Sequence, residues 1–313
     1  MNLSREAGAG RFTKPAALRP GDPVAVVAPA SPFYRESFDA GLQVLAARYR
    51  PVFDDGLFAR SRYLAGDDGR RLAELNAALA DDGIRAVIAA RGGYGAIRLL
   101  PKLQVVGLAP KPVVGFSDLS AIHLPLQAAG WVSIHGPVVT QLGRQPEEVV
   151  RRLFRLLESA APPAPLPGVP LVPGVAEGPL IGGNLSVVTR LLGTPHLPSL
   201  DGAVLLLEDV TERPYRLDRM WTHLALAGVF DRVRGIAIGE FTDCEEPDAD
   251  YGSRDVLVDL ARETGLPCLG GLAIGHGAVN QPVPLGAWVR LDADAGELAF
   301  LEGAVTPAAS RSS

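Results

Sequence analysis

From Pro23 onward the chain alternates short apolar runs with stretches of helical periodicity, and this alternation limits the fold class before any motif is considered. Val24-Ala25-Val26-Val27 is followed by a helical pattern over 37–49 and then by Pro51-Val52-Phe53. The cycle continues with a helix over 69–80, the run Ala86-Val87-Ile88-Ala89, a helix from Gly95, the run Pro112-Val113-Val114-Gly115 and a helix over 118–129. A β, α, β order of this kind implies a mainly parallel sheet with helices on both faces.

The second half reads differently. Residues 159–174 contain Pro162, Pro163, Pro165, Pro167, Pro170 and Pro173, and neither a helix interior nor a central strand tolerates such a series. A Pro-rich linker is expected over 146–176, separating an N-terminal domain over 20–145 from a C-terminal domain over 177–305. A chain of 313 residues is long enough for two. Beyond the linker come Leu180-Ile181, a helix opening near Asn184, a strand over 203–208, a helix over 214–227 and a strand over 234–241. Runs at 269–274, 287–291 and 297–301 follow without intervening helices, so the smaller C-terminal domain is expected to be mixed α+β and barrel-like. Residues 1–18 read as an ordered arm or a disordered leader, and 310–313 as a frayed end.

Composition removes several classes of function. Apolar residues make up 47% and charged residues 21%, which suits a folded enzyme and not a disordered chain. The net charge is -5 and no Lys/Arg run marks a groove, so nucleic acid is not an expected partner. Cys244 and Cys268 form no CxxC pair, so neither a disulfide framework nor a zinc site is supported, and no metal is expected. Arg5, Glu6, Arg11 and Lys14 interrupt any apolar run at the start, which argues against a signal peptide or a membrane span. A cytoplasmic protein with no membrane partner is the expectation.

Three residues stand at the ends of apolar runs. Ser117 lies in Val113-Val114-Gly115-Phe116-Ser117-Asp118-Leu119, between a strand and a helix. A sharp turn there projects a hydroxyl from the sheet edge and aims the next amide, that of Asp118, at a developing oxyanion. Leu119 replaces the last glycine of GxSxG, and Ser117 taken alone reads first as a helix cap. Glu208 closes Val204-Leu205-Leu206-Leu207, where ligands gather at the carboxyl end of a strand. Strand alternation sends either Glu208 or Asp209 inward and the other to solvent; a helix cap or an ion pair, with Arg213 or Arg219, is the plainer role for either. His276 is flanked by Gly275 and Gly277, and imidazole is the side chain suited to proton transfer near neutral pH. His123 and His223 fall in helices, His196 sits beside prolines, and His135 belongs to the strand-end run Ile134-His135-Gly136-Pro137, so they are set aside. Serine, carboxylate and histidine, each closing an apolar run, together have the form of a catalytic triad. The loop Arg91-Gly92-Gly93-Tyr94-Gly95 also follows a strand and can bring bare amides toward an anion.

Taken in order, these segments resemble the LD-carboxypeptidases, serine peptidase family S66, which include muramoyltetrapeptide carboxypeptidases and microcin C immunity hydrolases. The resemblance is carried by residues 21–32 (GDPVAVVAPASP), by Arg91-Gly92-Gly93-Tyr94-Gly95 and by Gly115-Phe116-Ser117-Asp118. It continues in Gly182-Gly183-Asn184-Leu185, in Leu207-Glu208-Asp209 with Tyr215 and Asp218-Arg219, and in Gly275-His276-Gly277. It implies a flavodoxin-like three-layer N-terminal domain with the nucleophile Ser117, and a C-terminal domain supplying Glu208 and His276. It further implies a homodimer, no organic cofactor, and a muropeptide or other short peptide as substrate, with D-alanine released during peptidoglycan recycling. Oxyanion donors are expected at Asp118 and at Gly92 or Gly93. Arg91, Tyr94 and Arg213 are candidates to hold the substrate, and Glu240 to bind a substrate amine. Hydrolysis of a peptidyl-nucleotide is the rival activity, which an aromatic platform would serve; only Phe154 is aromatic between Gly143 and Gly182. A two-domain ligand-binding module is the non-catalytic alternative.

Overall fold

The computed structural model describes residues 12–308. The first half builds β1 (Pro23–Val27), α1 (Arg35–Ala46), β2 (Arg50–Val52), α2 (Asp68–Ala80), β3 (Ala86–Ala89), β4 (Val113–Gly115), α3 (Ser120–Ala128), β5 (Ser133–His135), α4 (Val139–Leu142) and α5 (Glu147–Glu158). The second half builds β6 (Leu166–Pro167), β7 (Val169–Val172), β8 (Val175–Asn184), α6 (Leu185–Leu191), β9 (Val204–Val210), α7 (Pro214–Leu226), β10 (Gly235–Thr242), α8 (Ser253–Thr264), β11 (Cys268–Gly270), β12 (Val283–Leu285), β13 (Trp288–Asp292) and β14 (Glu297–Phe300).

The first five strands form a parallel sheet in the order β5-β4-β3-β1-β2, extended at the β5 edge by the antiparallel β12. This is a doubly wound, flavodoxin-like order, the fold that the family resemblance implies. Val24, Val26 and Ile88 face one layer with Phe38 and Leu45, whereas Ala25, Val27 and Val87 face the other with Leu75 and Leu79. Each of the larger of these side chains contributes roughly 1.5–3 kcal/mol by leaving water. Ligands of such sheets bind beyond the carboxyl ends of the strands, near the point where strand order reverses; here that point lies between β1 and β3.

The second sheet runs β6-β14-β13-β8-β9-β10-β11-β7. Its two edge strands are neighbours in the chain, joined only through Gly168, so the sheet curls almost into a closed barrel. Alternate residues of its strands serve opposite faces: Val204, Leu206, Ala237 and Val289 fill the interior, while Leu205, Leu207 and Ile236 pack under α6, α7 and α8 in the other cluster.

The Pro-rich stretch differs from the expected linker. Residues 147–158 form α5, whose Val149, Leu153, Leu156 and Leu157 are buried at helical spacing, with Glu147 and Glu148 favourably placed in its first turn. Pro167 and Pro170 then lie in β6 and β7, and edge strands are where a sheet accepts proline. The partition at 177–305 is also crossed, because β12 returns to pair with β5 in the first sheet. The helix expected from Gly95 is a 3-10 turn over Ala96–Lys102, shortened by the internal Pro101. The run at 269–274 stops being a strand at Gly270, before Gly271 adopts φ +64°. Helix α8 lacks a counterpart in the sequence reading, although Leu257 and Ala261 mark its buried face. Residues 12–18 are an ordered arm: Thr13 and Val132 are bonded across to Gly130 and Thr13, and Ala17 and Leu18 are buried. Residues 310–313 lie outside the described residues.

Candidate active site

Ser117 follows β4 through Phe116 and opens a 3-10 turn, Ser117–Leu119, that leads into α3. Its φ is +64°, a left-handed conformation that costs a residue with a side chain of order 1–3 kcal/mol and is kept where surrounding structure enforces it. Gly115 makes the turn possible, since a Cβ there would lie 2.8 Å from Leu119 Cγ. The large Leu119 thus occupies room that the glycine leaves, which accounts for a sharp strand-to-helix turn at Ser117 without the last glycine of GxSxG.

His276 and Glu208 arrive from the second sheet. Ser117 Oγ is 3.0 Å from His276 Nε2, and His276 Nδ1 is 2.6 Å from Glu208 Oε2. A carboxylate only accepts, so Nδ1–H donates to Glu208 and Nε2 is left to receive the serine proton. Glu208 is fully buried in β9, two residues before its end. Burial alone raises its pKa, but contacts with His135 and His276 outweigh that and bring it down to about 2. It is therefore anionic at neutral pH. Gly275 takes φ +116° and leaves space for Glu208, because a Cβ there would meet Oε2 at 2.6 Å. Asn280 Oδ1 accepts from the Gly275 amide at 3.0 Å and pins the loop that carries His276.

The glycine loop closes over the serine. A Cβ on Gly92 would lie 2.9 Å from Ser117 Cβ, and one on Gly93, with φ +109°, would meet Ser31 Oγ at 2.4 Å. Ser31, from the turn after β1, accepts from Tyr94 N at 3.1 Å and donates its own amide to Gly92 O. At the far end of the loop Ala96 N donates to Asp118 Oδ2 at 2.8 Å. Asp118 is buried, which raises its carboxyl pKa to about 6. Arg71, wholly buried, donates to Pro29 O and to Gly95 O from one nitrogen, and pairs with Asp68 through another. The sequence reading does not single it out, although it occupies a position four residues before the buried Leu75 on α2, where a core residue is due.

The comparisons decide the family. Residues 24–136 match the model of the LD-carboxypeptidase N-terminal domain, and residues 177–291 that of the LD-carboxypeptidase C-terminal domain. The chain belongs to the LD-carboxypeptidase family. A protein of Synechocystis sp. that carries a carboxypeptidase name is 41% identical over 297 residues, covering 93% of this chain and 98% of its own. The murein tetrapeptide carboxypeptidase of Pseudomonas aeruginosa is 33% identical, covering 86% and 92%. Among solved structures, the muramoyltetrapeptide carboxypeptidase of Oxalobacter formigenes superposes with TM-score 0.81 at 27% identity, covering 90% of this chain and 99% of that one. MccF in complex with glutamyl sulfamoyl guanosine gives TM-score 0.84 at 21% identity, covering 94% and 99%, which is a likeness of fold. Two-domain architecture and serine-type carboxypeptidase class thus stand together for this LD-carboxypeptidase.

Its remaining candidate residues are divided. Arg91 donates to Pro32 O at 2.6 Å, so part of its guanidinium holds the β1 turn. Arg213 is paired with Glu246 at 2.8 Å at the start of α7. Tyr94 is half exposed and packs edge-on against Tyr63, with ring centroids 5.7 Å apart. Glu240 is half-buried beside Gly277, and burial raises its pKa. Asp209 does not point to solvent: it is buried and accepts from Asn184 Nδ2 at 2.9 Å and from Ser186 N at 2.8 Å, which caps α6. The strand pleat separates the two acids, but helix α6 covers the face that sequence alternation assigns to water. No group of His, Cys, Asp and Glu suited to a metal occurs among the described residues, and none of their helices is long and apolar enough to cross a membrane.

Proposed function

We propose that this LD-carboxypeptidase releases D-alanine from murein tetrapeptides, cutting the bond from the L-centre of a diamino acid, in cytoplasmic peptidoglycan recycling. The observation that carries the reading is the relay Ser117–His276–Glu208, with links of 3.0 and 2.6 Å, in a member of this family. His276 takes the hydroxyl proton as Ser117 attacks the scissile carbonyl, and Glu208 holds the tautomer and stabilises the imidazolium. The same proton then passes to the leaving amine, and water releases the acyl-enzyme. Asp118 and Gly92 or Gly93 offer amides to the oxyanion, and one such donor is worth about a hundred- to a thousandfold in rate.

Glu240 supports a substrate carrying a side-chain amine. It borders a cavity of about 240 Å3 whose walls include Leu171, Ile238, Leu257 and Arg254. Glu245, on the same wall, is occupied by Ser253 N and Oγ at 3.0 Å. A carboxylate whose ionisation is opposed by burial gains most from a cation brought to it. The peptidyl-nucleotide reading gains no aromatic platform from 143–182, because Phe154 packs edge-on against Tyr49 at 5.4 Å within the protein.

The deciding experiment follows D-alanine release from L-Ala-D-Glu-diamino acid-D-Ala by wild type, by Ser117→Ala and with an all-L analogue. Release by wild type alone, and only from the D-Ala peptide, is the expected result. Turnover unchanged in Ser117→Ala would sink the mechanism, and no release from any peptide would sink the substrate.

A further inference from the structure

Two fully buried polar groups at this site lack a partner for part of their hydrogen-bonding capacity. Glu208 Oε1, and both ring nitrogens of His135, have no hydrogen bond among the described residues. They are also neighbours: His135 Nε2 lies 3.8 Å from Glu208 Oε1, and both side chains have zero exposure. That separation is too long for a hydrogen bond and too short to admit a bridging water between the two atoms. A modest shift of the ring closes it. A buried carboxylate oxygen without a donor is strongly unfavourable, which supplies the drive for that shift.

We propose that His135 is a positioning residue for the hydrolysis, donating Nε2–H to Glu208 Oε1 so that Oε2 stays aimed at His276. The inference uses the serine mechanism of the preceding section. The tautomer follows from chemistry, since a neutral imidazole has one N–H and the carboxylate can only accept. The surroundings of His135 fix its ring. It ends β5, whose neighbour β4 leads to Ser117, and Phe116 packs against both imidazoles, with centroids 5.8 Å from His135 and 4.7 Å from His276.

The titratable groups around it are Glu208 from β9, His276 from the loop after β11, and His123 from α3. His123 cannot replace it. Its Nε2 donates to Gly115 O at 2.9 Å and its Nδ1 accepts from Ser133 Oγ at 2.9 Å, so both nitrogens are committed to the β4–β5 scaffold. Burial lowers its pKa to about 3, which keeps it neutral. With His135 in place, the carboxylate is gripped at both oxygens and cannot rotate about its terminal bond. Without it, Oε2 loses its fixed direction and negative charge concentrates toward His276.

The test compares His135→Phe, which keeps a ring without a donor, with His135→Gln, which restores an N–H. Two rates are read: kcat and KM for D-alanine release from the tetrapeptide, and acylation of Ser117 by a fluorophosphonate, which needs no knowledge of the substrate. The Phe variant is expected to lose about 10- to 100-fold in kcat and in acylation, with KM held within about twofold. Its acid limb of kcat/KM moves to higher pH, and the Gln variant recovers most of the rate. Wild-type rates in the Phe variant overturn the proposal, as does equal impairment of both variants with the acid limb in place, which marks packing alone. Long-range 1H–15N spectra of the wild type read the tautomer directly, so poor folding of a variant leaves a decision: an Nδ1-protonated His135 overturns the proposal. Failure of wild type on every tetrapeptide, with phosphonate labelling intact, would refute the substrate and leave this test standing.

Discussion

The amide of Ala96, at the end of the glycine loop, donates to the carboxylate of Asp118, the residue after Ser117, at 2.8 Å. The loop and the serine turn are thereby one piece, and the amides proposed above as oxyanion donors on each are held in fixed relation. Because burial raises Asp118 to about 6, the folded protein binds its proton more tightly than the unfolded chain. Stability therefore falls as pH rises from the ordinary Asp value near 3.8 through 6, by about 2 to 3 kcal/mol in total. Asp118→Asn keeps an acceptor for Ala96 and removes the titration. Thermal melts at pH 5 and pH 8 should show the variant gaining on wild type by several degrees at the higher pH. An equal difference at both pH values would refute this account.

Glu208→Gln tests the other carboxylate. The amide fits the same space but does not stabilise an imidazolium, and a loss of about 10⁴-fold in kcat is expected. Glu208 itself is held down at about 2, so its contribution to stability is complete above the ordinary Glu value near 4.5 and is lost as pH falls toward 2. An activity decline between pH 5 and 7 in wild type consequently belongs to another group. Retention of more than a tenth of kcat in the Gln variant would remove Glu208 from the relay.

Gly92→Ala probes the fit of the loop over the serine. The backbone of Gly92 is not in the left-handed region, so alanine is conformationally acceptable there. Its Cβ would nevertheless sit 2.9 Å from Ser117 Cβ and 3.2 Å from Oγ. The collision displaces the nucleophile, and an error of about 1 Å at the reacting centre costs on the order of a hundredfold. Phosphonate labelling of Ser117 should slow in step with kcat, while circular dichroism stays as in wild type. Normal labelling would show that the loop yields freely and does not fix the serine.

The parallel sheet is legible because each strand is a short apolar run bounded by helical periodicity, and Ser117, Glu208 and His276 each close such a run. What is not legible depends on contacts distant in the chain. Arg71 stands at a core-facing helix position, but that its charge can be held there shows only once Pro29 O and Gly95 O are seen beside it. His135 falls among the histidines that the sequence sets aside, yet it ends a buried strand as Glu208 does near the end of its own, and that shared position is the available signal. Prolines in 159–174 exclude helix interiors and central strands and so read as a linker, whereas the two strands found there are the edges of the incompletely closed barrel, which accept proline.

Glu240→Gln separates recognition from chemistry. Glu240 lies against Gly277 and lines a cavity together with Arg254, and the hydrogen bonds of His276 go to Glu208 and Ser117 instead. If an ammonium of the third peptide residue binds there, removing the charge weakens a charge-assisted hydrogen bond in a partly desolvated place, an effect of about 1.5–3 kcal/mol or roughly 10- to 100-fold in KM. kcat should change little, because the interaction is equal in ground and transition states. A tetrapeptide with norleucine at the third position provides the control: wild type should bind it as weakly as the variant binds the amine-bearing peptide, and the substitution should then make no further difference. The pH dependence adds a second arm. Burial raises Glu240 above the ordinary carboxylate value, so acidification neutralises it and KM for the amine-bearing peptide should climb at low pH in wild type but not in the Gln variant. An unchanged KM in Glu240→Gln, or an equal change for the norleucine peptide, would place the amine elsewhere.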